Sequence, residues 1–199
     1  MSVDTSSAGR RESGDDRRIA IAQAARRIIV EKGLEGLRTR DIAALVGINI
    51  ATLHYHVPSK EALVALVAES LRGDFKAQAM RHSRLGRSGL EQLRLEFDDF
   101  RETVVDMPDL IIILTELVER ARRDAAIAEI MLPMRDFWRS QFADIFRLGI
   151  TDGSFRPDLD PEAAALISTG ALSDCWRQPK LSLSLLDRVA AELERAFTR

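Results

Sequence analysis

The greatest concentration of side chains able to bind another molecule lies in the 31-residue segment 33–63, GLEGLRTRDIAALVGINIATLHYHVPSKEAL. Its apolar spacing predicts two short helices, at about 39–46 and about 50–56, separated by a tight turn. Gly47 gives this turn its backbone freedom, and Asn49 is a good N-cap for the second helix. Two short helices joined in this way form a helix-turn-helix, whose second helix can lie in the major groove of DNA.

The three histidines, His54, His56 and His82, are the side chains that would serve an enzyme or a metal site. On a helix the first two point about 200° apart, so they cannot share one metal ion. The chain contains no GxSxG, HExxH or phosphate-loop motif, and no spacing of paired carboxylates stands out. We therefore expect neither an enzyme nor a metal site, and no cofactor.

The composition is that of a soluble globular protein, with 199 residues, 30% charged and 46% hydrophobic. The single cysteine, Cys175, excludes an intrachain disulfide and a cysteine zinc site. The apolar run 110–114 is far shorter than the roughly 20 residues of a membrane span, and the polar N-terminus lacks a signal-peptide core. These features predict a cytoplasmic protein with no membrane partner.

The net charge of −2 conceals a weak asymmetry along the chain. Residues 1–73 contain 11 Lys and Arg against 9 Asp and Glu, whereas the remainder contains 18 against 22. The sequence therefore predicts a mildly basic N-terminal part and an acidic remainder, which places the positive charge beside the helix-turn-helix.

Helical periodicity extends through the rest of the chain and predicts an all-α protein of about nine helices. We predict a disordered arm at 1–14, a helix-turn-helix DNA-binding domain at 15–73 and a larger helical domain at 74–199. The one β-like patch, Ile111–Ile113, is too short and isolated to predict a strand. A long helix rich in aromatic residues is predicted to end near Gly149, and Asp160-Pro161 is predicted to open the next helix.

Residues 17–70 resemble the DNA-binding domain of the tetracycline-repressor (TetR) family of bacterial transcription regulators. The resemblance is specific because many short motifs occur in the family's order and spacing. The shared pieces are Ala24-Ala25, Glu31-Lys32-Gly33, Thr39-Arg40-Asp41-Ile42-Ala43, Gly47-Ile48, Thr52-Leu53-His54-Tyr55-His56-Val57 and Ser59-Lys60-Glu61-Ala62-Leu63.

The resemblance implies DNA-binding roles for residues around both short helices. Thr39, Tyr55, His56 and Lys60 match family positions that bind phosphate, and Arg40 matches a position from which arginine can reach guanine. For Arg40, a solvated side chain or an ion pair with Asp41 or Glu61 is the alternative. The remaining candidates cap the second helix or lie in its first turn, facing base edges: Asn49, Ile50, Ala51 and Thr52.

Three positions depart from the family pattern. His54 stands where an aromatic residue, most often tyrosine, is usual, so the phenolic phosphate contact there is replaced by an imidazole. Val57 is smaller than the frequent phenylalanine. Arg38 replaces the usual N-cap threonine, which weakens the cap of the first short helix but adds a cation near DNA.

The resemblance also implies that the C-terminal part holds a small-molecule pocket. The candidate ligand-binding residues are large apolar side chains and one acid: Phe97, Phe100, Met134, Trp138, Phe142, Asp174 and Trp176. Glu116, Gln141 and Cys175 are further polar groups that could orient a ligand. The alternative for each of these residues is a purely structural role in the core.

Small residues crowd the predicted helix 160–176, and the last helix has a clean apolar stripe. These two helices suit a four-helix homodimer interface, with packing within the chain as the alternative. The resemblance thus implies a ligand-responsive regulator, most often a repressor. It would bind a near-palindromic operator through recognition helices about 34 Å apart and respond to a mostly apolar effector. A helical adaptor that binds protein partners is the alternative function.

Overall fold

A computed structural model describes residues 14–178 and 182–198. Within these residues the chain forms nine α-helices and no strand, which confirms the all-α prediction. The helices are α1 (Gly14–Lys32), α2 (Thr39–Val46), α3 (Ile50–His56), α4 (Lys60–Ala79), α5 (Gly89–Asp106), α6 (Pro108–Ala121), α7 (Ala125–Asp152), α8 (Pro161–Arg177) and α9 (Leu183–Phe197). None of the helices in the described ranges is both long and apolar enough to cross a membrane.

The chain folds as two compact units, and the boundary between them falls between Val67 and Ala68, inside α4. We call the described residues 14–67 the head and 68–198 the body. The predicted arm at 1–14 lies outside the described residues except for Gly14, which is the first residue of α1 rather than part of an arm.

The head is built from short helices whose ends are fixed by local sequence. α2 and α3 have the predicted bounds, because Gly47 ends α2 with a φ of 72° and Asn49 caps α3. A 3-10 turn at Leu34–Gly36, which the periodicity did not predict, lies in the connection between α1 and α2. Beneath these helices lies a set of buried apolar residues: Ile21, Ala25, Ile28, Ile29, Leu34, Ile42, Ala43, Leu53, Val57, Leu63 and Val64.

An apolar core of the body joins residues of α5, α7, α8 and α9 with Phe155 and Leu159 of the loop between α7 and α8. The start of α5 is attached to the end of α7, because Asp152 Oδ2 accepts the Gly89 amide at 2.7 Å and Ser154 Oγ accepts the Leu90 amide at 3.2 Å. Ser88 and Glu91 complete this start as a capping box.

The prediction that the aromatic-rich helix ends near Gly149 was wrong. α7 continues to Asp152 and ends before Gly153, whose φ of 80° is the left-handed conformation that favours glycine. Gly149 is buried in the helix, where its missing side chain makes room for the Phe155 ring, and the missing side chain of Gly89 lets α5 approach the Gly149 backbone. Asp160 and Pro161 open α8 as predicted, with the Asp160 carboxylate accepting the Glu162 and Ala163 amides.

Candidate nucleic-acid interface

The turn between α2 and α3 fixes the orientation of α3 on the head. Asn49 Oδ1 accepts the Thr52 amide at 2.7 Å, as predicted for an N-cap. Leu53 is fully buried, so the opposite side of α3 faces outward. The helix is therefore held by one internal anchor and one cap, with its first turn presented to the surroundings.

The outward side of α3 carries most of the predicted recognition residues. Tyr55 is 85% exposed and Ile50 is 48% exposed, which is unusual for large side chains in a compact domain. Ala51 and His54 are also exposed, whereas Thr52 is half-buried. An apolar residue in an exposed first turn suits contact with a thymine methyl group.

His56 differs from its neighbours because it is half-buried and tied to another helix. Its ring packs edge-on against Tyr55, with the ring centroids 5.2 Å apart. Its backbone carbonyl accepts a hydrogen bond from Arg18 Nη1 at 3.4 Å. Arg18 therefore attaches α1 to the end of α3, a connection between residues 38 positions apart that periodicity does not reveal.

The start of α2 supplies a second group of predicted contacts. Arg38 is exposed in extended conformation, and no side chain caps α2. Thr39 is half-buried as the first helical residue. The departure from the usual N-cap threonine thus leaves the first amides of α2 without a side-chain acceptor, and such amides attract an anion.

Arg40 forms the ion pair with Asp41 that the sequence left open as an alternative. Its Nε lies 3.3 Å from Asp41 Oδ1, while its side chain remains 73% exposed. Asp41 Oδ2 also lies 3.9 Å from Lys32 Nζ. Because Asp41 binds the Nε side of the guanidinium, the two Nη atoms are left for a bidentate contact with a base.

The start of α4 contributes the last predicted phosphate contact. Lys60 is exposed in the first turn, and Ser59 Oγ accepts the Ala62 amide at 3.1 Å. The head therefore presents the starts of α2 and α4 and the outward side of α3 together with cations. We call this surface, formed by residues 38–40, 49–52, 54–56 and 60, the reading surface.

In the body, four of the predicted ligand-binding residues come together as an aromatic cluster. Phe100, Trp138 and Trp176 have nearly parallel rings with centroids 5.5–6.4 Å apart, and Phe142 meets Trp138 edge-on at 5.8 Å. Phe100 and Phe142 are buried, whereas both tryptophans are half-buried. The cluster joins α5, α7 and α8 and reaches the surface of the body.

The other predicted ligand-binding residues lie around this cluster or away from it. Phe97 belongs to the same core and also borders a surface groove between α5 and α9, beside the Arg94–Glu194 ion pair. Met134 is half-buried one turn before Trp138. Asp174 is exposed and accepts a hydrogen bond from Gln178, so the structure does not bring it to the aromatic rings.

The three further polar candidates have ordinary surroundings. Glu116 and Gln141 are half-buried on α6 and α7. Cys175 is buried, and burial together with the Asp174 charge raises the pKa of its thiol. A thiol with a raised pKa is a poor nucleophile, so Cys175 behaves as a small core residue.

The body also contains a buried acidic pair that was not predicted from the sequence. Glu96 and Asp99 are buried on α5, and one guanidinium, that of Arg84, makes ion pairs with both carboxylates. Burial raises the pKa of Glu96, with the Arg84 charge acting in the opposite direction. The sequence does contain a signal for this buried pair, because both acids lie on an otherwise apolar side of α5, beside Leu93 and Phe97.

Comparison with known proteins matches this arrangement to a family of regulators. Residues 21–67 match the model of bacterial regulatory proteins of the tetR family. The HTH-type transcriptional repressor KstR2 of Rhodococcus jostii is 28% identical over 88% of this chain and 86% of its own length. KstR2 of Mycobacterium tuberculosis is 30% identical over 73% of this chain and 72% of its own length.

A solved structure shares the fold over nearly the whole chain. It is a putative transcriptional regulator from Saccharomonospora viridis in complex with choline, with a TM-score of 0.81 and 20% identity, covering 93% of this chain and 99% of that chain. The chain belongs to the tetR family of DNA-binding transcriptional regulators. This confirms the family and the class of function that the motifs between 17 and 70 indicated.

Proposed function

We propose that the protein is a cytoplasmic repressor that binds a near-palindromic operator as a homodimer and is released by a small molecule bound in the body. The observation that carries the proposal is the reading surface, which combines the capped first turn of α3 and the 85% exposed Tyr55 with exposed cations at the starts of α2 and α4. The KstR2 relatives are transcriptional repressors, which supports repression rather than activation.

Within the reading surface, the residues divide between phosphate and base contacts. Thr39, Tyr55, His56 and Lys60 bind phosphates and set the register of the protein on the duplex, with Arg38 and His54 adding donors beside them. Arg40 reads guanine through its free Nη atoms. Ile50, Ala51 and Thr52 meet base edges in the first turn of α3, and Asn49 keeps that turn in place.

The homodimer is centred on the outward side of α8. Leu166 and Ile167 are 54% and 55% exposed, and the exposed small residues Ala163 and Gly170 allow a second helix to approach closely. Three of the other small residues, Ala164, Ala165 and Ser168, are buried in the chain's own body instead. An exposed apolar surface of this kind on a compact domain suits a two-fold contact with a second copy.

The last helix contributes to this dimer differently from the prediction. The apolar stripe of α9 packs into the chain's own core, which is the alternative that the sequence left open. The outward side of α9 carries Arg188, Glu192 and Arg195, which are exposed. We therefore assign α9 to the polar border of the interface and α8 to its apolar centre.

The effector binds at the aromatic cluster of the body. Half-buried tryptophans give a large apolar contact area that a ligand can reach, and Met134 supplies an adaptable neighbour. The structural neighbour from Saccharomonospora viridis has choline bound, so this fold accommodates a small molecule. The effector releases DNA only to the extent that it binds the DNA-free conformation more tightly.

A selection of fragmented genomic DNA from the source organism, followed by fluorescence anisotropy on the retained fragment, tests the proposal. We expect retention of fragments that share a near-palindrome, with log affinity falling linearly with log salt by about 0.9 per neutralised phosphate. Retention of no fragment, or an affinity that does not change with salt, would refute the role of the reading surface.

A further inference from the structure

Among the described residues, Arg139 of α7 is a cation without a counter-ion. Its Nε is shielded from solvent and has no hydrogen-bond partner, and no carboxylate of the described residues lies within ion-pair distance of its guanidinium. Most neighbouring arginines are paired: Arg135 binds Asp136, and Arg147 binds Asp144 and Glu162. Arg139 thus differs from them in combining a shielded nitrogen with the absence of a partner.

Arg139 is half-buried and lies at the border between the exposed and the buried side of α7. Residues three, four and seven positions later, Phe142, Ala143 and Phe146, are all fully buried, and such positions share one side of a helix. The nearest acids on α7, Asp136 and Asp144, have exposed side chains. The nearest acids of α7 are therefore exposed, whereas Arg139 is half-buried beside the core.

Ser168 of α8 is a second unsatisfied polar group in the body. The residue is fully buried, and its Oγ has no hydrogen-bond partner. By contrast, Thr115, Thr151 and Thr169 each donate to the carbonyl one turn earlier in their own helices. The helices that carry the two unsatisfied groups, α7 and α8, pack against each other.

A shielded guanidinium nitrogen and a buried hydroxyl without hydrogen-bond partners lower the stability of the folded protein. An oxyanion is the partner that the Arg139 nitrogen lacks, because guanidinium groups donate charge-assisted hydrogen bonds to oxyanions, and a hydroxyl such as that of Ser168 can also donate to one. Trp138, directly before Arg139 in the chain, belongs to the aromatic cluster, which supplies apolar area for the rest of the same ligand. The site thus combines one cationic anchor with an aromatic surface.

We propose that the effector is an anionic amphiphile whose oxyanion binds Arg139 and whose apolar part packs on the aromatic cluster. This inference rests on the proposed effector site and specifies its ligand class. Aromatic faces alone would also attract a quaternary ammonium ion such as choline. The unpaired charge of Arg139 repels such a cation, so in this chain the same kind of surface selects the opposite charge.

Three ten-carbon probes of matched length test the charge preference: decanoate, decanol and decyltrimethylammonium, each below its micelle concentration. The chain has two tryptophans, and both lie in the aromatic cluster, so intrinsic fluorescence of the DNA-free protein reports binding there. We expect decanoate to bind about 10-fold more tightly than decanol, as for one charge-assisted contact of about 1.4 kcal/mol, and the ammonium probe to bind most weakly. Equal binding of the three probes, or preference for the ammonium, would overturn the inference.

Arg139→Gln should abolish the preference for decanoate, whereas Arg139→Lys should retain part of it. Arg135→Gln, four residues earlier and exposed, is the matched control and should bind as the wild type does. If Arg139→Gln fails to fold by circular dichroism, the lysine variant and the probe comparison still decide the question. Decanoate that binds through Arg139 without releasing DNA would refute the effector role but leave the anion site. Absence of the charge preference in the wild-type protein, when that protein still binds its operator, would refute the anion site alone.

Discussion

The head and the body place their candidate functional residues in opposite ways. In the head they lie within one short segment, residues 38–60, on surfaces that are exposed at the ends of helices. In the body they come from α5, α7 and α8, and the largest of them are buried or half-buried. A contact surface for a large rigid partner can thus be built locally, whereas an enclosed site for a small molecule needs several helices to converge.

If the body depends on convergent packing, removal of one central ring should have the largest effect on stability. Phe142 is fully buried between Trp138 and Phe146, so Phe142→Ala should lower the free energy of unfolding by roughly 3–5 kcal/mol. Urea unfolding at a fixed protein concentration measures this loss. Leu85→Ala, at a 93% exposed loop position, should change it by less than about 0.5 kcal/mol. A small effect at Phe142 would contradict the account of the core.

The proposed dimer uses the exposed side of α8, whereas the buried side of α8 belongs to the core of the body. Ile167→Glu introduces a charge at the centre of the proposed interface without touching the core, so it should weaken dimerisation by about 2 kcal/mol or more. Sedimentation equilibrium should show monomers that retain their helical circular dichroism and bind the operator weakly. Leu85→Glu should leave the dimer intact. An unchanged dimer with Ile167→Glu would exclude α8 as the apolar centre.

Within the reading surface, base contacts should be separable from phosphate contacts. Arg40→Ala should cost roughly 1–3 kcal/mol on the operator and relax the preference at one base pair, because arginine reads guanine through paired hydrogen bonds. Lys60→Ala should weaken operator and unrelated DNA by the same factor and reduce the salt slope by about 0.9 per subunit. Anisotropy titrations against single-base operator variants distinguish the two effects. Uniform weakening by Arg40→Ala would assign Arg40 to the Asp41 ion pair and the phosphate backbone only.

The cap of α3 should have a smaller, local effect on stability. Asn49→Ala removes the acceptor of the Thr52 amide and should lower the free energy of unfolding by about 0.5–2 kcal/mol, whereas Asn49→Ser should retain most of it. Operator affinity should fall for the alanine variant because the first turn of α3 loses its anchor. Thermal unfolding together with anisotropy measures both quantities. Equal behaviour of the two variants would show that the cap does not determine the order of this turn.

The buried acid of the body should produce a modest dependence of stability on pH. Burial raises the pKa of Glu96 above its ordinary value of 4.5, so folding favours the protonated carboxyl group. That contribution to stability is fully present below the unfolded pKa and is lost as the pH rises through the folded pKa. The free energy of unfolding of the wild type minus that of Glu96→Gln should therefore fall as the pH rises above the ordinary glutamate pKa of 4.5. Glu129→Gln, at an exposed position, is the control, and a difference that rises with pH would contradict the assignment.

The success of prediction from the sequence follows the same division between the head and the body. α2 and α3 have the predicted bounds because Gly47 and Asn49 act on amides within a few residues of themselves. Gly149 was misinterpreted as a helix end because a glycine that admits another segment of chain has the same local sequence signal as one that terminates a helix. The small residues of α8 were similarly ambiguous, since half of them serve the chain's own core.

The sequence by itself determined the helical class, the starts of the short helices and the family of the head, because all three depend on signals within one or two turns. Tertiary structure alone decided which rings meet, that Arg84 serves two buried acids and that Arg139 has no acid beside it among the described residues. The physical reason is that helical periodicity specifies which side of each helix is apolar, but not which other helix covers it. Contacts between residues far apart in the chain therefore remain undetermined until the helices have packed.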